Sequence, residues 1–351
     1  MRFQPELMTF ADGAPVVSAE DWKRRRAEML DLLSREEYGI TPPAPAAVRG
    51  TVNAVDEKCC AGHAVIEDLT VSFDTPKGGY SFPCRFFRPA SEGKHPLFVF
   101  LNFFPEVYNK YFPLEEIIDG GFAVAAIYYK DVTHDDGDFT DGIAGMYPRR
   151  GDGTDWGKIG MWAFCASRAA DYFLTRPEVD ADRLAVIGHS RLGKTALWAG
   201  AQDERFRYVI SNDSGCSGAA YEREKHGSSE TVAKITGKFP FWFCDNFLRY
   251  AKDPDERPFD QHFLLSLIAP RRLAVNSASL DEWADPLGEQ LSCVACSPAW
   301  ELLGVRGFTG GETPAKVGEL LSGGNVQYYL RDGTHFLSRA DWQIYMDMMS
   351  E

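Results

Sequence analysis

A serine at position 190 stands between an apolar run and a helix-forming one. Ala185-Val186-Ile187 leads into Gly188-His189-Ser190, and Thr195-Ala196-Leu197-Trp198-Ala199 follows. The first segment has strand character and the second helix character. A nucleophilic serine needs this context of strand, tight turn and helix. The turn lifts the hydroxyl above the sheet, and the helix N-terminus favours developing negative charge. Arg191 and Lys194 are unusual beside it, because a simple esterase turn needs neither charge. Serine is a poor nucleophile until a base takes its proton. Histidine titrates near neutral pH, and a buried carboxylate fixes its tautomer and stabilises the imidazolium. Candidates for both lie downstream: Asp213, Asp281, and His335 within Arg331-Asp332-Gly333-Thr334-His335.

These residues need a scaffold, and the hydrophobic pattern predicts one. Pro96–Leu101, Phe122–Ile127, Leu184–Ile187, Tyr208–Ile210, Arg272–Asn276 and Val326–Leu330 are short apolar runs. Continuous apolar runs are expected of strands buried on both faces of a parallel sheet. Helical segments at Ile159–Leu174 and Arg191–Gln202 lie between them. Alternating strands and helices predict a mostly parallel sheet with helices on both faces. Ser190, Asp213, Asp281 and His335 each follow a strand, at the sheet edge where ligands bind in open α/β folds. Their order, serine then acid then histidine, is that of α/β-hydrolases.

Residues 47–90 alternate polar and apolar types, as antiparallel strands do. Residues 19–38 read as one amphipathic helix with Trp22, Met29, Leu32 and Leu33 on its apolar stripe. Gly39 and the Pro-rich segment 41–46 stop it. The stretches 131–158 and 214–260 read as long loops rich in Gly, Asp and aromatics, of the kind that forms pockets. The chain has no internal repeat, low-complexity tract or linker. Residues 1–351 are expected to form one domain, with 1–45 a helical arm packed on it.

Composition narrows the function classes. The 351 residues are 44% hydrophobic, enough for one large core. The net charge of −14 argues against nucleic acid, whose phosphates want a basic face. The 13% aromatic content suits a core plus a sugar- or ring-binding surface. No stretch of about 20 apolar residues predicts a membrane span. The N-terminus, Met1-Arg2-Phe3-Gln4-Pro5-Glu6, lacks the apolar region of a signal peptide. The sequence as written is thus expected to be cytoplasmic, or extracellular if a leader had been removed. The eight cysteines read as reduced thiols, and Cys293 and Cys296 lack a second ligand pair for zinc.

The segment Gly188-His189-Ser190-Arg191-Leu192-Gly193-Lys194 resembles the signature of glucuronoyl esterases, carbohydrate esterase family 15. The resemblance extends over Trp156–Gly160, Asp213–Gly218, Glu230-Thr231-Val232, Phe239–Phe243, Asp260–Leu264, Ala269–Arg272, Trp283–Pro286 and Gly333-Thr334-His335. It implies an α/β-hydrolase fold: a three-layer sandwich with a mostly parallel central sheet. It implies cleavage of esters of (4-O-methyl-)glucuronic acid, such as lignin–glucuronoxylan linkages, hence a role in xylan degradation. A glucuronate ester or glucuronoxylan oligosaccharide would be the partner, with no cofactor and no metal.

Carried over position by position, the resemblance makes Ser190 the nucleophile and His335 the general base. Arg191 would join the oxyanion hole, and Lys194, Glu230 and Trp283 would hold the sugar. Asp213 occupies the place of a Glu-Ser-Gly carboxylate in many members, with a side chain one methylene shorter. Asp281 matches the acid of bacterial relatives. Asp281 is the expected main partner of His335, with Asp213 assisting. An acetyl-xylan or broad-specificity esterase would use the same triad, and a carbohydrate-binding pseudoenzyme would present it misaligned.

Other conspicuous residues have plainer readings. His262, in an apolar segment, reads as a hydrogen-bonded structural histidine, and His189 as packing under the turn. His134, in an acidic run without a second histidine at ligand spacing, reads as part of a solvated loop rather than a metal site. Trp242 fits either pocket wall or core.

Overall fold

The computed structural model describes residues 3–106 and 108–351, so Met1 and Arg2 of the N-terminal reading lie outside it. The strands are β1 (Val48–Lys58), β2 (Ala64–Thr75), β3 (Gly78–Pro89), β4 (His95–Asn102) and β5 (Ala123–Tyr128). Then follow β6 (Val179–His189), β7 (Tyr208–Asn212), β8 (Arg272–Ala278), β9 (Leu320–Leu321) and β10 (Val326–Arg331). Among the described residues they form one sheet in the order β1-β2-β3-β5-β4-β6-β7-β8-β10-β9. The run β5-β4-β6-β7-β8-β10 is parallel. The meander β1-β2-β3 at one edge and the short β9 at the other are antiparallel.

The apolar runs are strands because alternate residues feed two cores. Leu97, Val99 and Leu101 of β4 point into the core under helices α1 (Ala19–Leu33), α2 (Lys158–Phe173) and α3 (Arg191–Gln202). Phe98 and Phe100 point to the other face, where Trp342, Tyr345 and Met349 of α5 (Arg339–Ser350) pack. A further helix, α4 (Pro286–Cys296), follows β8. This is the architecture of an α/β-hydrolase.

Four segments differ from the sequence reading. The helix expected over 19–38 is α-helical only to Leu33 and continues to Tyr38 as a wider π turn. Ser34 Oγ donates to the Leu30 carbonyl at 2.7 Å just where the turn widens, a side-chain bond that competes with the backbone ladder. The turn ends at Gly39 (φ +87°), where a Cβ would lie 2.1 Å from Trp156 Cα. The stretches 131–158 and 214–260 are not plain loops: they hold helical turns at Gly142–Met146, Val232–Lys238, Pro240–Trp242 and Asp245–Ala251. Strand β6 begins at Val179, five residues before its apolar run, because His95 and Val179 pair at its start.

The N-terminal arm docks on α3. Tyr38 stacks on Trp198 with ring centroids 4.5 Å apart and donates its hydroxyl to the Ser217 carbonyl at 3.1 Å. Arg26 Nη2 donates to the Ala201 carbonyl at 2.7 Å.

Candidate active site

Ser190 connects β6 to α3 with φ +58° and ψ −127°, a region that a non-glycine residue enters at a cost of order 1–3 kcal/mol. The neighbourhood imposes it. The Ser190 N–H donates to the Asn212 carbonyl of the next strand at 2.8 Å, and its own carbonyl accepts from Gly193 N at 2.8 Å. A Cβ on Gly188 would lie 2.0 Å from the Leu192 carbonyl oxygen, so α3 leaves the turn too close for any side chain there.

Ser190, Asp213, Asp281 and His335 converge on the C-terminal edge of the parallel strands. They line one cleft of about 300 Å³ with Arg191, Lys194, Glu230, Trp283, Ser214, Gly215, Lys238, Phe239, Trp242 and Ala284. All eight site residues expected from sequence therefore share a single pocket.

His335, on the turn after β10, has its Nδ1 2.6 Å from Asp281 Oδ2. Asp281 is buried and His335 is 42% exposed, so the imidazole is anchored on one side and open to the cleft on the other. Asp213 is also close: a carboxylate oxygen of Asp213, one of Asp281 and a ring nitrogen of His335 lie within 4.8 Å of one another. Among the described residues, however, no hydrogen bond joins Asp213 to His335. Asp213 Oδ2 accepts from Arg331 Nη2 at 3.5 Å and from the Phe336 N–H at 3.4 Å. Burial, followed by the charges of Glu289 and Asp281, drives its carboxyl well above the ordinary aspartate range. Asp213, at φ +46°, therefore lies beside the Asp281–His335 pair with its hydrogen bonds made to Arg331 and the backbone.

His189 lies under the turn. Its Nδ1 is 2.6 Å from Asn212 Oδ1 and its ring centroid is 4.4 Å from that of His335. Burial, and then the neighbouring His335, push it well below the usual histidine value, so it stays neutral. His262 is remote: its Nε2 is 3.0 Å from the Pro5 carbonyl oxygen, and burial lowers it to about 4.

Arg191 reaches the cleft from the first position of α3. Its Nη1 is hydrogen-bonded to Asp135 Oδ2. Its guanidinium lies 4.6 Å from the centroid of Trp242, which itself stacks on Phe239 at 3.9 Å and 3°. Trp242 is therefore pocket wall. Lys194 is buried, with Nζ donating to the carbonyls of Ser214 and, at 2.6 Å, Cys216. An ammonium has three donors, so one remains for a ligand. Burial lowers its pKa, and nearby Glu230 opposes that shift. The Glu230 N–H donates to the Trp283 carbonyl at 2.9 Å, tying two expected sugar contacts together. Trp283 is 46% exposed, with Lys234 Nζ 4.8 Å from its ring centroid.

The acidic run around His134 is ordered by an internal cation. Lys158 is fully buried and donates to Thr133 Oγ1 at 2.7 Å, to the Asp138 carbonyl at 2.5 Å and to Asp141 Oδ1 at 3.2 Å. His134 stays at the surface, 3.3 Å from Asp141.

Sequence reasoning missed Asp135 and Glu289. Glu289, on α4, is fully buried behind the cleft. Its Oε1 accepts from the Ser214 N–H at 2.9 Å and the Gly215 N–H at 2.8 Å, and its Oε2 from Ser277 Oγ. Burial raises it from 4.5 to about 7, while the Ser277 and Gly215 bonds pull the other way. A raised folded-state pKa means that the native chain holds the extra proton. That contribution to stability is full below about 4.5 and is lost as pH rises through about 7. Its upper size is roughly 3 kcal/mol. Glu289→Gln keeps the two backbone bonds and removes the titration. Its thermal midpoint is expected to fall less than that of the wild type between about pH 5 and pH 8 in melting curves. Parallel curves would overturn this.

The family model for fungal glucuronyl esterases matches residues 81–304. The chain belongs to the glucuronoyl esterase family. Carbohydrate esterase MZ0003, from an unknown prokaryotic organism, is 34% identical over 98% of this chain and 88% of its own length. A 4-O-methyl-glucuronoyl methylesterase of Podospora anserina is 29% identical over 84% of this chain and 59% of its own length. The solved glucuronoyl esterase of Solibacter usitatus superposes with a TM-score of 0.91 at 33% identity, covering 100% of this chain and 97% of that one. Members of this family are carboxylic ester hydrolases, and so is this esterase. No helix of the described residues is long and apolar enough to cross a membrane.

Proposed function

We propose that this esterase cleaves esters of (4-O-methyl-)glucuronic acid through an acyl-enzyme on Ser190, acting as one folded unit that includes the N-terminal arm. The observation that carries the reading is the convergence of Ser190, the Asp281–His335 pair, Arg191, Lys194, Glu230 and Trp283 on one sugar-sized cleft.

In this mechanism Ser190 Oγ attacks the C6 ester carbonyl while His335 Nε2 takes its proton. Asp281 holds the Nδ1–H and stabilises the imidazolium. The tetrahedral oxyanion is met by the Arg191 guanidinium and by the Arg191 backbone N–H at the start of α3. As the C–O bond breaks, the alcohol leaves with the proton from His335. Water, deprotonated by the same imidazole, then attacks the acyl carbonyl and returns Ser190 and the free glucuronate. The free N–H of Lys194 and the Glu230 carboxylate hold ring hydroxyls, and the Trp283 indole covers the ring's apolar face.

Hydrolysis of benzyl glucuronate beside 4-nitrophenyl acetate tests the assignment. Turnover of the glucuronate ester at a kcat/KM at least about 100-fold above acetate is expected, since unpaired sugar-binding groups penalise a substrate that lacks the hydroxyls. The reverse preference would discard the sugar assignment and favour a broad-specificity esterase. Trp283→Ala is expected to raise KM for the glucuronate ester about 10-fold with kcat little changed, the signature of uniform binding loss. An unchanged KM would remove Trp283 from the sugar site.

A further inference from the structure

We propose that Asp135 is the positioning residue for Arg191, fixing its guanidinium where the oxyanion forms. This rests on the proposed oxyanion role of Arg191.

Asp135 is outside the cleft lining, and its side chain is only 7% exposed. Both carboxylate oxygens are occupied, and two of the three groups that hold them, Arg191 and Trp242, line the cleft. Oδ2 accepts from Arg191 Nη1 and from the Tyr129 hydroxyl at 3.1 Å. Oδ1 accepts from Trp242 Nε1 at 2.7 Å. One carboxylate thus holds the arginine by an ion pair and also holds the indole on which the same arginine lies. Arg191 Nε is buried without a partner, so the Asp135 bond and the aromatic ring fix the guanidinium plane.

The loop carrying Asp135 is itself pinned. Lys158, fully buried, binds Thr133 and Asp141 on either side of it, and Trp162 Nε1 donates to the Thr133 carbonyl at 3.2 Å. The chain of support runs from α2 through the loop to Asp135 and then to Arg191. A long arginine side chain loses much rotamer freedom when held, and an oxyanion donor works only if it is already in place when charge develops. Without Asp135 the guanidinium would have to be ordered during the reaction.

A double-mutant cycle on benzyl glucuronate tests this. Asp135→Asn retains the Trp242 bond but presents an N–H to Arg191 in place of an acceptor. It is expected to lower kcat and kcat/KM by the same factor, about 10- to 100-fold, with KM within about twofold, because the interaction operates in the transition state. Tyr129→Phe removes one neutral donor from Asp135 and is expected to cost about 2- to 5-fold in the same parameters. In an Arg191→Gln background Asp135→Asn should cost less than about threefold, because its partner is gone.

Equal losses from Asp135→Asn with and without Arg191 would overturn the inference, as would full activity of the folded single variant. Should Asp135→Asn fail to fold, Tyr129→Phe in the two backgrounds decides by the same comparison. If Arg191→Gln alone leaves kcat unchanged, the oxyanion role itself falls. If Arg191→Gln is costly and Asp135→Asn is not, only the positioning role falls.

Discussion

Ser190→Ala is expected to lower kcat on benzyl glucuronate by about 10⁴- to 10⁶-fold, the loss that follows removal of the nucleophile from a serine hydrolase triad. The residue does not hold the fold. Its backbone conformation is set by the Asn212 and Gly193 hydrogen bonds and by the close passage of α3 over Gly188, none of which involves the hydroxyl. The thermal midpoint should therefore stay within about 2 °C of the wild type. The proposed sugar-binding roles of Lys194, Glu230 and Trp283 are untouched by the change, so the variant should still bind the ester with near-normal affinity, measurable by calorimetry. Turnover within tenfold of the wild type would show that another group carries the chemistry.

Asp281→Asn is the second large effect, with an expected fall in kcat of about 10³- to 10⁴-fold. The Asp281 carboxylate accepts from His335 Nδ1 at 2.6 Å. An asparagine there favours the wrong tautomer and withdraws the charge that stabilises the imidazolium, and the comparable change in a serine protease costs about 10⁴. Asp213→Asn should cost less than about tenfold. Burial and the negative neighbours Glu289 and Asp281 push the Asp213 carboxyl toward its neutral form. The amide is its near-isostere, and Arg331 also donates to the Thr334 and Phe336 carbonyls. Rates measured side by side decide between the acids. The opposite ranking would make Asp213 the partner of His335.

Much of the scaffold is legible in the amino-acid order, for a physical reason. A strand covered on both faces is apolar along most of its length, so β4, β5 and the central segments Leu184–Ile187 of β6 and Leu273–Val275 of β8 stand out as continuous runs. The serine turn is equally local: strand, Gly188, Ser190 and helix are contiguous, and their geometry is decided within a few residues. Chain order then placed Ser190, Asp213, Asp281 and His335 after strands of one sheet, which is enough to bring them to one edge.

The parallel sheet, the turn that exposes Ser190 and the company of residues at that edge are therefore legible in the amino-acid order. Which of them touch depends on long-range packing. Asp281 rather than Asp213 meets His335 across 54 positions, through the directions in which β8 and β10 release the chain. Lys194 is fastened to carbonyls 20 and 22 positions away, and Arg191 to a carboxylate 56 positions before it in an unrelated loop. Glu289 supports the turn after β7 from 75 positions downstream. Such contacts depend on side-chain direction over a few ångströms, and hydrophobic periodicity carries no information at that scale because it records only which face of an element is buried.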